Sequence, residues 1–109
     1  MPPRDQSYLL DIIKAAQLIL DFVEDFDQAT FDDDLKTQSA VIRQLEIIGE
    51  ATKRLSEEFR DQNPEIRWRQ IAGMRDILIH AYDHVDVNEV WHVTQTSIPE
   101  LIAKIEQIL

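Results

Sequence analysis

The sequence lacks cysteine altogether and has only two glycines and four prolines among its 109 residues. Without cysteine the chain has no catalytic thiol, no disulfide framework and no thiolate zinc site. Its longest uncharged run, 90–99, has ten residues, whereas a helix needs ~18 to 20 apolar residues to cross a bilayer. The first residues also lack an apolar signal core, so we expect a soluble, unprocessed, cytoplasmic protein with no membrane partner.

Positive charge is also scarce, because 11 Lys and Arg residues stand against 21 Asp and Glu residues, a net charge of −10. Such an excess of negative charge disfavours non-specific binding to nucleic acids, and we expect no DNA partner. The imbalance is uneven: residues 1–34 hold nine acids and two bases, whereas 53–75 hold six bases and four acids. One segment is therefore locally basic, and a solvated surface of mixed charge is its simplest interpretation.

The apolar residues recur at helical spacing and never alternate as they would in a strand, which predicts an all-α fold. We expect a single domain over 1–109, built as a four- to five-helix up-and-down bundle. The first helix is predicted over 5–26 and the second from an acidic start at 27–34 to residue 59. A third helix is predicted over 64–82 and a fourth over 87–109.

Polar residues and prolines predict where these helices begin and end. Asn63 is the expected N-cap of the third helix, with Pro64 at its first position, and Asp86 is the expected N-cap of the fourth. Pro99 has no amide hydrogen and is expected to kink or split the fourth helix. Trp68 and Trp91 lie beside apolar stripes and are interpreted as core or interface anchors. The first two helices carry the stripes Leu9, Ile12, Ile13, Ala16, Ile19, Leu20 and Val23, and Val41, Leu45, Ile48, Ala51 or Thr52, Leu55 and Phe59.

The predicted third helix separates into two faces when residues advance by about 100° each. The apolar face carries Ile71, Met74, Ile77, Leu78 and Ala81, and the opposite face carries Arg75, Asp76, His80, Tyr82 and Asp83. Ile79 falls within the polar face. An apolar residue there indicates either that a second copy of the chain covers this face or that a single isoleucine is exposed.

The polar face contains the groups needed to cleave a phosphodiester without metal. The neutral imidazole of His80 could take a proton from a ribose 2′-hydroxyl, and Arg75 could stabilise charge on the phosphate. Asp76 could orient the ring or hold a proton. One histidine is too few to serve as both acid and base, but a symmetric dimer would supply two. Taken singly, these residues can also be a surface ion pair or a half-buried ring.

A metal site is the weaker interpretation of the histidines. His80 and His84 have the i, i+4 spacing of two helical metal ligands. However, His84 falls where the third helix is expected to end, so we predict no metal and no cofactor.

These residues resemble the HepT-like toxins of the HEPN superfamily, small all-α proteins encoded beside minimal nucleotidyltransferase antitoxins. The family pattern of Arg, four residues, His, one residue and Tyr is met by Arg75, His80 and Tyr82. The resemblance covers most of the chain, because the family's other recurring segments are matched in order by Ile48-Gly49-Glu50-Ala51, Trp68-Arg69-Gln70-Ile71-Ala72-Gly73-Met74, Val90-Trp91 and Ile98-Pro99-Glu100-Leu101.

The resemblance implies a metal-independent ribonuclease toxin that works as a homodimer, with Arg75 and His80 catalytic and RNA, tRNA among the candidates, as substrate. It also implies a nucleotidyltransferase antitoxin that transfers AMP from ATP to Tyr82. Family members often have Asn after the motif arginine, where this chain has Asp76, which adds negative charge near the RNA phosphate. The alternative function is a catalytically silent helical dimer that binds the nucleotidyltransferase as a scaffold or presents its substrate.

Overall fold

The computed structural model describes residues 1–74, 76, 79–81 and 84–109, and for 79–81 it describes the backbone alone. This part of the chain confirms the all-α prediction. It folds into α1 (Pro3–Val23), α2 (Gln28–Asp32), α3 (Leu35–Arg54), α4 (Glu57–Gln62), α5 (Trp68–Ala72), a short ribbon of β1 (Ile79–Ala81) and β2 (His84–Val85), α6 (Val87–Gln95) and α7 (Ser97–Ile108). None of the helices in these ranges is both long and apolar enough to span a bilayer.

The two long helices form the centre of the molecule, where α1 packs along α3 and also against α7. Their contact is built by the predicted apolar stripes, because successive turns of each helix place their apolar residues on one face. In α1 the buried apolar residues are Leu9, Ile12, Ala15, Ala16, Ile19 and Val23, and from α3 to α4 they are Val41, Leu45, Ile48, Ala51, Leu55 and Phe59. Both predicted stripes are confirmed in their main members, while Ile13 and Leu20 pack at the margin of this core.

Two aspartates of the acidic connector begin helices, where the sequence predicts a single helix start. The Asp27 carboxylate accepts from the Thr30 amide at 2.9 Å, while the Thr30 hydroxyl accepts from the Asp27 amide at 3.0 Å. This reciprocal pair satisfies two amides that a helix start leaves unpaired. The Thr30 amide also holds the pKa of Asp27 below its usual value. Asp34 caps α3 in the same way, accepting from the Thr37 amide at 2.9 Å.

The predicted second helix is wrong in its continuity, since it is divided into α2, α3 and α4. The main break follows Arg54, where Ser56 caps α4 by accepting from the Phe59 amide at 3.1 Å. The Asp5 carboxylate, which is buried, accepts from the Ser56 amide at 2.8 Å and from its hydroxyl at 2.7 Å. The apolar stripe continues across this break, so apolar spacing alone did not reveal it.

The predicted helix over 64–82 is wrong at both ends. Asn63 is the C-terminal cap of α4 rather than an N-cap, and α5 begins only at Trp68. The backbone of β1 is extended and pairs antiparallel with β2, with Ile79 opposite Val85. The β-branched Ile79 and Val85 suit such a pairing better than a helix interior, because their side chains are restricted at χ1.

The predicted fourth helix begins and divides as its sequence indicates. Asp86 accepts from the Glu89 amide at 3.2 Å and starts α6. The helix splits at Thr96, and Pro99 lies in the first turn of α7. The missing amide hydrogen of proline costs little there, because the first-turn amides of a helix have no partner within it.

Candidate functional site

The predicted site residues fall within positions 75–82 of the sequence, which the structure describes only in part. Asp76 is exposed, and its amide donates to the Gly73 carbonyl oxygen at 3.1 Å. The backbones of Ile79 and His80 lie in β1, whereas their side chains, and all of Arg75 and Tyr82, lie outside the described residues. The helical arc that grouped these side chains does not apply to the extended residues of β1, so their grouping and their roles remain predictions.

The ribbon also bears on the metal alternative. His80 lies in β1 and His84 in β2, so the helical i, i+4 spacing that suggested two ligands on one face does not hold. The pairing places Ala81 opposite His84, with an irregular register between Ile79 and Ala81. Within the described ranges, no three His, Cys, Asp or Glu residues are grouped closely enough to hold a metal ion.

The helix that leads into the motif is anchored by Trp68. Its indole nitrogen donates to the Asn63 carbonyl oxygen at 2.9 Å. Its ring lies 5.8 Å from that of Phe59, centroid to centroid, in a tilted arrangement, and the residue is only 6% exposed. Tilted aromatic pairs of this kind add specific stability to apolar burial. Trp68 is therefore a core anchor, as predicted, and it fixes the beginning of α5.

The end of α5 is held against α3 by a close backbone approach at Gly49. A Cβ atom at Gly49 would lie 3.2 Å from the Ala72 carbonyl oxygen, which is tighter than ordinary van der Waals contact. Gly73 and Met74 follow directly, and Met74 is buried in the core. The Gly49 contact and the burial of Met74 thus hold the backbone in place up to Met74, the residue that precedes Arg75.

A cleft of about 380 Å³ opens beside Met74, between α5, α6 and α7. Its lining combines apolar residues, such as Ile71 and Leu101, with charged ones. Among the charged residues, Lys104 donates to Glu100 at 2.8 Å and to the Glu65 carbonyl oxygen at 3.0 Å. The hydrogen bond and charge of Lys104, with a smaller effect of Arg67, keep the pKa of Glu100 below its usual value.

An open groove of about 750 Å³ lies between α4 and α5, and it shares Arg67 and Gln70 with the cleft. We call it the arginine groove, because Arg60, Arg67 and Arg69 line it together with Glu57, Asp61, Trp68 and Gln70. In the described part of the chain, no carboxylate forms an ion pair with any of the three guanidinium groups. Among the described residues, the buried Nε atom of Arg60 has no hydrogen-bond partner. The basic excess of 53–75 signalled these residues, but the sequence did not show that three of them share one groove.

Comparison with known proteins identifies the family in which this all-α fold and the pattern Arg75, His80 and Tyr82 occur together. The family model described as ribonuclease HepT-like matches residues 12–108. The chain therefore belongs to the HepT-like ribonuclease family, which confirms the resemblance drawn from its motifs.

Individual relatives cover nearly the whole chain. The protein named probable ribonuclease HepT of Thermococcus cleftensis is 48% identical, over 94% of this chain and 94% of that protein. A protein of Methanocaldococcus jannaschii named as a candidate RNase is 40% identical over 100% of this chain and 91% of its own length. A candidate RNase of Caldanaerobacter subterraneus is 38% identical over 94% of this chain and 91% of that protein. No solved structure matches the chain.

Proposed function

We propose that this chain is the ribonuclease toxin of a toxin and antitoxin pair, and that it cleaves RNA without a metal ion. The observation that carries the proposal is membership of the HepT-like ribonuclease family together with the intact pattern Arg75, His80 and Tyr82. The pattern supplies an imidazole that can accept or donate a proton, a fixed positive charge and a modifiable hydroxyl.

The proposed reaction is an attack of the ribose 2′-hydroxyl oxygen on the adjacent phosphorus. His80 accepts the hydroxyl proton as the new P–O bond forms and the bond to the 5′-oxygen breaks. A second His80, from another copy of the chain, donates the proton that the leaving 5′-oxygen requires. Arg75 offsets the negative charge that accumulates on the phosphate oxygens. The products are a 2′,3′-cyclic phosphate and a 5′-hydroxyl, so no water or metal is consumed in this step.

The test of this mechanism is the His80→Ala variant with His92→Ala as its matched control. His92 is an exposed histidine on α6, so its loss should leave cleavage unchanged. His80→Ala should lower the cleavage rate by about 100- to 10,000-fold, the usual contribution of a general acid or base. Cleavage by the unaltered chain should continue in EDTA, and chromatography should identify the cyclic phosphate. Cutting that requires an added metal would contradict the mechanism.

The reaction needs two histidines, so the proposal includes a homodimer in which Ile79 contributes to the interface. Sedimentation should show a dimer at micromolar concentration. Ile79→Glu should dissociate it and reduce cleavage, because a buried carboxylate without a partner is strongly unfavourable. A monomeric chain whose activity is unaffected by Ile79→Glu would overturn the composite site.

Regulation of the site is proposed to occur by transfer of AMP from ATP to the Tyr82 hydroxyl, catalysed by a nucleotidyltransferase antitoxin. The phenolic oxygen would attack the α-phosphorus of ATP and release pyrophosphate. Each AMP adds about one negative charge and a bulky nucleoside seven residues from Arg75, which would repel an RNA phosphate. Intact-mass measurement should show adenylyl additions that disappear in Tyr82→Phe. Labelling that persists in Tyr82→Phe would remove this half of the proposal.

The second candidate function is a catalytically silent dimer that binds the nucleotidyltransferase, and the net charge of −10 favours it. A growth test separates the two functions. Expression of the chain alone should arrest growth, and His80→Ala should relieve the arrest. If both proteins are harmless while the chain still binds the nucleotidyltransferase, the silent dimer is correct.

A further inference from the structure

We propose that the arginine groove binds the phosphate backbone of the RNA substrate and directs the strand toward Arg75 and His80. This inference rests on the proposed ribonuclease function and adds a binding surface to it. The groove is adjacent to the motif along the chain, since Gln70 at its edge precedes Arg75 by five residues. The anchoring of α5 by Trp68 and Gly49 keeps the groove and the start of the motif in a fixed relation.

The first argument is that the three guanidinium groups of the groove form no ion pair within the described ranges. Elsewhere in the described chain, Lys53 pairs with Glu50, Arg43 with Glu46 and Lys104 with Glu100. Arg60, Arg67 and Arg69 have no such partner within the described ranges. Lys14 and Lys36 have none there either, but the three arginines differ from them in lining one groove together. A guanidinium group offers up to five donors and suits phosphate recognition better than carboxamide or hydroxyl groups do.

The second argument is the buried Nε atom of Arg60. A buried donor without a partner costs free energy comparable to a lost hydrogen bond, so such atoms are rare in proteins. A phosphate oxygen bound at the Arg60 guanidinium would supply the missing acceptor, provided that the side chain turns its buried Nε atom toward the groove. Arg67 and Arg69 are exposed at the groove and can reach further phosphates at little desolvation cost.

The third argument is charge complementarity against the rest of the molecule. With a net charge of −10, most of the surface repels a polyanion, so RNA can approach only where bases are concentrated. The groove holds three arginines against the exposed Glu57 and Asp61, an excess of one positive charge. This small excess predicts weak, strongly salt-dependent binding that serves to position the strand and carries little sequence information.

The experiment measures binding separately from cleavage. The probe is a fluorescent single-stranded RNA with 2′-O-methyl groups, which cannot undergo attack by the 2′-oxygen, and binding is followed by anisotropy over a range of salt concentrations. The test variant is Arg67→Gln/Arg69→Gln. The matched control is Lys14→Gln/Lys36→Gln, which removes the same charge from exposed positions on α1 and α3.

Loss of two phosphate contacts should weaken binding by about 20-fold at ~0.1 M salt and reduce the slope of log K against log salt by about 1.4. The control should bind as the unaltered chain does. Arg60→Gln should act in the same direction as the test variant, and thermal melting should show that Arg67→Gln/Arg69→Gln remains folded. Cleavage of an unmodified RNA should fall in parallel with binding.

Three outcomes would overturn the inference. If the test variant and the control bind the probe equally while the unaltered chain cleaves RNA, the groove is not the binding surface, and the ribonuclease function stands. If the test variant binds RNA normally but loses the nucleotidyltransferase, the groove is a protein-docking surface. If the unaltered chain neither binds nor cleaves RNA, both the groove inference and the ribonuclease function fail.

Discussion

The acidic beginning of the chain and its basic middle use their charges in opposite ways. In residues 1–34, several carboxylates stabilise helix starts, since Asp27 and Asp34 cap α2 and α3 and Asp5 holds the start of α4. In residues 53–75, the three arginines of the groove have no ion-pair partner in the described part of the chain. Charges that stabilise the fold and charges that remain available to a ligand are thus separated along the sequence.

This contrast shows how to interpret a charged residue in a small helical protein. A capping aspartate is recognised by its local partner, since it accepts from an amide two or three residues later. A ligand-binding arginine is recognised by the absence of such a partner and by the presence of other arginines beside it. The contrast predicts that removing one of the helix-starting acids in 1–34 affects mainly stability, whereas removing an arginine of the groove affects mainly RNA binding or cleavage.

Among variants that test the comparison between structural and ligand-binding charges, Arg75→Ala is expected to have the largest effect on cleavage. Loss of one charge-stabilising donor should lower the cleavage rate by about 100- to 1,000-fold. The free energy of unfolding should change by less than about 1 kcal/mol, as for most surface changes. Single-turnover cleavage and urea unfolding measure the two quantities. A large loss of stability would mean that Arg75 belongs with the structural charges.

The opposite behaviour is expected for Asp5→Ala, which removes two hydrogen bonds to Ser56 from a buried carboxylate. Hydrogen bonds to charged groups stabilise a fold by about 1.5 to 3 kcal/mol, so we expect a loss of about 3 kcal/mol in urea unfolding. Asp11→Ala, at an exposed position on the same helix, should change stability by less than about 0.5 kcal/mol. Equal effects of the two variants would contradict the assigned role of Asp5.

A smaller effect is expected at the contact between α3 and α5, which holds the basic region against the centre of the fold. Gly49→Val should cost about 1 to 3 kcal/mol, because a side chain at Gly49 crowds the Ala72 carbonyl oxygen. Cleavage should also fall, because α5 leads into the motif. Gly73→Ala is the control, since its Cβ would lie 3.5 Å from the Arg69 carbonyl oxygen in ordinary contact. Thermal melting that ranks Gly73→Ala as the more damaging change would contradict this view of α5.

Asp76 is an acid inside the motif that runs from Arg75 to Tyr82, and changing it tests whether its negative charge affects cleavage. Asp76→Asn keeps the hydrogen-bonding capacity and removes a negative charge near the proposed RNA phosphate. We expect cleavage to rise by about 5-fold. This factor corresponds to ~1 kcal/mol, the interaction energy of two unit charges 4 Å apart in water. Asp76→Ala should instead lower cleavage if the residue also orients His80. A fall in both variants would show that the charge itself is required.

The smallest effect is expected from Glu100, an exposed carboxylate whose pKa is lowered by Lys104. A group with a lowered pKa in the folded state stabilises the fold above its unfolded pKa, near 4.5 for this glutamate, and loses that contribution as the pH falls through its folded value. The difference in melting temperature between the unaltered chain and Glu100→Gln should therefore shrink as the pH falls below about 4.5. A difference that grows toward acid would contradict the sign.

The helical elements were predictable where their signals are local. Apolar spacing placed the buried faces of α1 and α3, and Asp86 and Pro99 correctly marked the start and the division of the last helix pair. The apolar stripe could not show the break at Ser56, because that break depends on Asp5, which lies 51 residues earlier in the chain. Pairing between Ile79 and Val85 is likewise a contact between segments that a helical wheel does not consider.

The functional site shows the same division. The motif pattern predicted the family, which the matching family model confirms, since a motif is read directly from the order of residues. The arginine groove required the structure, because Arg60 lies on α4 whereas Arg67 and Arg69 lie at the start of α5 and within it. Only the packing of Trp68 on Phe59 shows how these two short helices meet.

The contact between Asp5 and Ser56 has a consequence for the order in which the molecule assembles. The caps of α2 and α3 involve residues three apart and can form as soon as each helix begins. The Asp5 contact joins residues that are 51 positions apart. Bringing them together costs chain entropy, and the packing of α1 against α3 offsets that cost only once α1 has docked. We therefore expect Asp5→Ala to accelerate unfolding while leaving the folding rate nearly unchanged. In the cell, such a contact sets how long the folded molecule persists rather than how quickly it first forms.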